Sequence, residues 1–115
     1  MFLSQIEYLK HILDEIEYLL KHSKVLSFDE FVKDETLQRA FVRSLEIIGE
    51  ATKKLSSEIK TKYPDVEWKA IAGTRDKLIH DYFGVDYELI WDIINTKISI
   101  LKKQIEDVLD HEEQL

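Results

Sequence analysis

The chain has 115 residues, 44% of them hydrophobic and 34% charged, with a formal net charge of −7, the profile of one charge-rich globular domain. It has no cysteine, which excludes disulfides, thiolate metal sites and cysteine nucleophiles and fits a reducing compartment. No apolar run approaches the roughly 18 residues of a membrane span, and Met1-Phe2-Leu3-Ser4-Gln5 lacks the basic flank of a signal peptide, so a soluble cytoplasmic protein is expected.

Three glycines and one proline leave few helix breakers, which predicts long helices. Leu3, Ile6, Leu9, Ile12, Leu13, Ile16, Leu19 and Leu20 recur at helical spacing, giving an amphipathic first helix over roughly residues 3–22. Ser27-Phe28-Asp29-Glu30 has the form of a capping box and should start a short helical turn. Asp34 can cap a second long helix with Leu37, Ala40, Phe41, Leu45, Ile48, Ala51, Leu55 and Ile59 on its buried stripe. Pro64 stops that helix or marks the linker after it.

Asp65 is placed to cap a third helix running to about Phe83, with Gly84 ending it as the residue past the C-cap. Asp86 caps a last helix in which Leu89, Ile90, Ile93, Ile94, Ile98, Leu101, Ile105 and Val108 repeat every three to four residues. The acidic stretch from Glu106 to Glu113 reads as a solvated, fraying end. Short linkers favour antiparallel neighbours, so the expected fold is all-α: an up-and-down bundle of four long helices plus one short helix, in a single domain over residues 1–115.

The chemically informative stretch lies in the third helix. Ile71, Arg75, Leu78, Ile79 and Tyr82 would share one broad helical face, and an arginine in such a stripe is costly unless an anion or carboxylate meets it. Asp76 and His80 stand at i, i+4, adjacent on a helix. An aspartate accepting the imidazole Nδ1–H would fix the tautomer and leave Nε2 for proton transfer. Gly73, before Arg75, permits close approach of another backbone or a substrate. By spacing alone, the same residues fit a surface arginine in an ion pair and a histidine near a helix C-terminus, where the dipole favours its cation.

Arg75-Asp76-Lys77-Leu78-Ile79-His80 matches the R-x4–6-H signature of HEPN domains, including a polar residue directly after the arginine. With Asp81-Tyr82 it becomes R-x4-H-x-Y and resembles the HepT family. Leu45-Glu46-Ile47-Ile48-Gly49-Glu50-Ala51, the Pro-Asp-x-x-Trp segment at 64–68 and the stretch from His80 through Asp86 are similar to that family too. The resemblance implies a HEPN-like homodimer whose facing motif segments build a composite, metal-independent endoribonuclease site. Arg75 and His80 would be catalytic, with Asp76 behind His80, and no cofactor would be needed. RNA, transfer RNA in particular, would be the substrate. Tyr82 would be a regulatory target to which a minimal nucleotidyltransferase, the antitoxin MntA, attaches AMP in a toxin–antitoxin system. Without the resemblance, Tyr82 is as well read as an aromatic packing the end of the helix.

The acidic net charge points away from nucleic acid, unless Lys53, Lys54, Lys69, Arg75 and Lys77 concentrate charge near the motif. It favours an alternative of another class, a non-catalytic helical binding module that partners a nucleotidyltransferase. Arg39 and Arg43, and Glu46 and Glu50, lie one turn apart. They read as a solvated, ion-paired face, or, for Arg43, Glu46 and Glu50, as lining of the cleft. Trp68 and Trp91 read as core or interface anchors. No His, Asp and Glu set has convincing metal-ligand spacing, and His11, His22 and His111 have no partner pattern.

Overall fold

The structure, a computed structural model, describes residues 4–81 and 84–115, side chains at 79–81 excepted. Ser4 and Glu7 close a capping box at the start of α1 (Gln5–Ser23), which buries Leu9, Ile12, Ile16 and Leu19. The Ser27–Glu30 box starts α2 (Phe28–Lys33) as expected. Asp34 caps α3 (Glu35–Lys54) by accepting the Leu37 N–H at 3.0 Å. The anticipated stripe is buried at Phe41, Leu45, Ile48, Ala51, Leu55 and Ile59 and half-buried at Leu37 and Ala40.

The all-α bundle stands, but three of its four long helices are divided. The second stops at Leu55, whose backbone is extended, and resumes as α4 (Ser57–Lys62). Ser56 caps α4, and its own N–H donates to Oε1 of Gln5 at 2.7 Å. A serine that can bond its local backbone competes with helix continuation. The last helix divides at Lys97 into α7 (Tyr87–Thr96) and α8 (Ile98–Glu113). Just before the break, Asn95 and Thr96 donate back to the carbonyls of Trp91 and Asp92, a pattern that bends and weakens helices.

The third helix departs furthest from expectation. Its cap is Glu67 rather than Asp65, with no side-chain cap bond, and it runs as α5 (Trp68–Ala72) to a turn at Gly73. It continues as α6 (Thr74–Leu78) and ends there, not at Phe83. Strand β1 (Ile79–Asp81) follows and pairs antiparallel with β2 (Gly84–Val85), so Gly84 opens a strand instead of closing a helix. Ile79, Tyr82, Phe83 and Val85 favour strands over helices. The Asp86 N–H closes the hairpin onto the Leu78 carbonyl at 2.9 Å. Asp86 then caps α7 through the Leu89 N–H, as anticipated.

Helix α1 packs most extensively against α3 and α8, while α3 also carries α5 and α6 on another flank. Phe31, fully buried, stacks between Phe41 and Trp91, each ring centroid 5.3 Å away. Trp68 is buried and donates its indole N–H to the Tyr63 carbonyl, while Trp91 is half-buried. The C-terminal helix does not fray at Glu106. It holds to Glu113 because Val108 and Leu109 are buried and Glu112 accepts from both Lys62 and Tyr63. No described helix is long and apolar enough to cross a membrane.

Candidate active site

The site is assembled on α3. A Cβ on Gly49 would lie 3.4 Å from the carbonyl oxygens of both Ile71 and Ala72, so the C-terminal end of α5 rests on the α3 backbone with no side chain between them. That seating fixes how far α6 stands from α3. Across this gap the Arg75 Nε lies 3.0 Å from Oε2 of Glu46. Glu46 is 22% exposed and Arg75 60% exposed, so the carboxylate is set back and the guanidinium faces solvent. The anion that an arginine in this segment required is therefore a carboxylate from α3.

The remaining charges of that α3 face pair differently. Arg39 meets Glu35 at 3.0 Å, and Arg43 approaches Glu50 only to 3.8 Å, with both side chains of each pair largely exposed. These are solvated surface pairs of small energetic weight. Glu46 is the exception, and its i+3 place after Arg43 on one helix gives no hint of a partner beyond α5.

Asp76 is exposed on α6. The helix that would have set it one turn from His80 ends at Leu78, between the two, so their separation on a helix no longer argues for a pair. His80 lies in β1, where Ile79 is opposite Val85 and Asp81 is opposite Gly84, leaving His80 as the extra residue of an irregular register. Tyr82 lies outside the described residues. Arg75 and His80 are thus brought to a helix-to-hairpin corner rather than spaced along one helix.

Two concavities adjoin the corner. A cleft of about 450 Å³ includes Leu45, Ile71, Thr74, Leu89, Ile93 and Ile100 in its walls. Ile100 is 61% exposed and Ile71, Leu89 and Ile93 are half-buried. A second, more open groove is walled by Lys60, Lys69 and Lys77, with Glu67 as its one acid, and shares Lys77 with the cleft. Among the described residues, no three His, Asp or Glu side chains gather as a group that could hold a metal ion.

Comparison with known proteins gives a consistent picture. The chain is 56% identical to a "Putative RNase" of Caldanaerobacter subterraneus subsp. tengcongensis, covering 91% of this chain and 94% of that one. It is 46% identical to a "Putative RNase" of Methanocaldococcus jannaschii, over 89% of this chain and 84% of the relative. To the "Probable ribonuclease HepT" of Thermococcus cleftensis it is 39% identical, over 87% and 91% respectively. No solved structure gives a significant match. The family model described as "Ribonuclease HepT-like" matches residues 12–108, a span that takes in Glu46, Arg75 and His80, and the chain belongs to the HepT-like ribonucleases of the HEPN superfamily.

Proposed function

We propose that the chain is a metal-independent endoribonuclease toxin whose catalytic groups are Arg75 and His80. The observation that carries this reading is the solvent-facing Arg75 guanidinium on α6, the short helix that leads directly into the hairpin bearing His80. RNA brings its own nucleophile. A histidine titrates near neutral pH and can take the 2′-hydroxyl proton as general base. The 2′-oxygen bonds to phosphorus, the bond from phosphorus to the 5′-oxygen breaks, and a protonated histidine supplies the proton to the leaving oxygen. Arg75 stays charged throughout, and its planar fork stabilises the extra negative charge on the phosphoryl oxygens. The products are a 2′,3′-cyclic phosphate and a 5′-hydroxyl.

One histidine per subunit does one of these two jobs well, so a homodimer that brings two motif corners together completes the site. The half-exposed isoleucines and leucine of the cleft beside the corner support such a partner face. The basic groove of Lys60, Lys69 and Lys77 supports RNA as substrate despite the net charge of −7, and transfer RNA is the substrate we assign. Asp76 orients His80 in this reading. Tyr82, two residues after His80, is the target of a MntA-like minimal nucleotidyltransferase antitoxin. AMP on its hydroxyl adds phosphate charge that competes with RNA for Arg75.

The net charge favours a second reading, a non-catalytic module that binds a nucleotidyltransferase partner. Expression of wild type and His80→Ala in cells, with sedimentation of both purified proteins, separates the two. The nuclease reading expects toxicity lost and the dimer kept. Equal behaviour of both proteins would favour the binding module, and a dimer lost with the substitution would assign His80 to the interface.

A further inference from the structure

Glu46 reads in the sequence either as part of a solvated, ion-paired face of α3 or as lining of the cleft, and the structure pairs it across elements with Arg75 at 3.0 Å. We propose that Glu46 is a positioning residue, holding the Arg75 guanidinium at the α3–α6 gap so that its remaining N–H groups meet the phosphate. The proposal rests on the ribonuclease reading given above.

Several observations converge on it. Glu46 is 22% exposed, whereas Glu35 and Glu50, which serve the surface pairs of the same helix, are 77% and 63% exposed. A carboxylate set back from solvent is screened less than one on the open surface, even where its partner stays exposed. The closest contact is made by Nε, and a guanidinium carries five N–H donors. A single carboxylate engages at most two of them in a fork, so donors remain for an anion. The gap itself is set by backbone, because Gly49, one turn along α3, seats the Ile71 and Ala72 carbonyls. A flexible arginine on a helix as short as Thr74–Leu78 would otherwise sample many rotamers. Holding it beforehand is what a transition-state donor needs, since such donors act through preorganisation.

The same carboxylate repels an approaching phosphate, and this gives the proposal a signature. Loss of Glu46 should lower kcat without raising KM, because positioning fails while repulsion is relieved. The test compares Glu46→Ala and Glu46→Gln, each alone and on an Arg75→Ala background, with tRNA as substrate. Glu46→Ala is expected to lower kcat about 100-fold, the scale of a misplaced catalytic group. Glu46→Gln, which keeps an acceptor oxygen, should recover part of that loss. On the Arg75→Ala background, Glu46→Ala should change nothing further. A kcat within about twofold of wild type, or a full additional loss without Arg75, would overturn the assignment.

A second readout is independent of RNA cleavage. In a 1H–15N spectrum, the Arg75 Nε–H should be resolved and protected from exchange in wild type and merge with the averaged arginine signals in Glu46→Ala. If wild type proves unable to cleave RNA, the ribonuclease reading fails while this spectrum still decides whether Glu46 holds Arg75. An Arg75 signal identical in both proteins would refute the positioning role.

Discussion

Among single residues, what matters is which charges are set back and which are free. Arg75 is mostly exposed, so its replacement should cost activity rather than stability. Arg75→Lys keeps the charge but loses the planar fork. We expect it to lower kcat by about 100-fold, the loss of one transition-state donor, with an unchanged melting temperature by calorimetry. A large fall in melting temperature would instead make Arg75 structural. Tyr63 and Glu112 behave in the opposite way, as stabilising groups remote from chemistry. Burial, with the hydrogen bond to Glu112 and its charge adding to it, pushes the Tyr63 hydroxyl from 10.0 up to about 12. The hydrogen bonds from Lys62 and then Tyr63 hold the Glu112 carboxyl below its ordinary 4.5. Glu112 therefore contributes stability above pH 4.5 that is lost as pH falls through its depressed folded value. Tyr63, protonated in the fold where the unfolded chain would ionise, contributes stability below pH 10 that is lost as pH rises through about 12. Tyr63→Phe should cost about 1 kcal/mol at neutral pH and flatten both flanks of a plot of melting temperature against pH. An unchanged profile would contradict the clamp.

Among the helices and the hairpin, Gly49 sets the geometry, because α5 sits on its bare backbone. A methyl group there meets the Ile71 and Ala72 oxygens at ordinary contact distance, 3.4 Å. Gly49→Ala should therefore be tolerated, helped by the roughly 1 kcal/mol gain in helix propensity. Gly49→Leu overpacks the seat and should lower stability by about 1–3 kcal/mol and displace Arg75 from Glu46. Thermal melts of both variants, with cleavage rates, check this; equal effects of the two would show that the seat is loose. The same elements mark how far the sequence is legible. Caps at Ser27, Asp34 and Asp86 and the stripes of α1 and α3 can be read from it because their signals are local. The breaks at Ser56 and Lys97 cannot, because apolar spacing continues across them and only serine, asparagine and threonine back-bonding interrupts it. The end of α6 at Leu78 is hidden for a related reason. Ile79 and Tyr82 extend a helical stripe while preferring strand, and the hairpin decides through Asp86 bonding back to Leu78. In the site, R-x4-H-x-Y singles out Arg75 and His80, but the sequence leaves the carboxylate partner of Arg75 open among the acids of α3. Choosing Glu46 requires the seat at Gly49.

For the molecule as a whole, an acidic protein has to present RNA with a locally basic face. The groove of Lys60, Lys69 and Lys77 offers one beside the motif corner. Replacing all three with glutamine should weaken tRNA binding. It should also reduce the slope of log affinity against log salt by about 0.7–0.9 for each phosphate that is no longer neutralised. An unchanged salt slope would place the RNA elsewhere. The C-terminal helix, held by Lys62 and Tyr63, keeps its acidic end pinned at the C-terminal end of α4. The decisive experiment for the nuclease incubates wild type, Arg75→Ala and His80→Ala with total tRNA in EDTA and identifies the new RNA ends. Cleavage by wild type is expected, leaving 2′,3′-cyclic phosphate and 5′-hydroxyl termini, with both variants slower by about 100-fold or more. No cleavage by wild-type protein shown by mass to carry no AMP, or equal cleavage by all three, would contradict a catalytic Arg75 and His80.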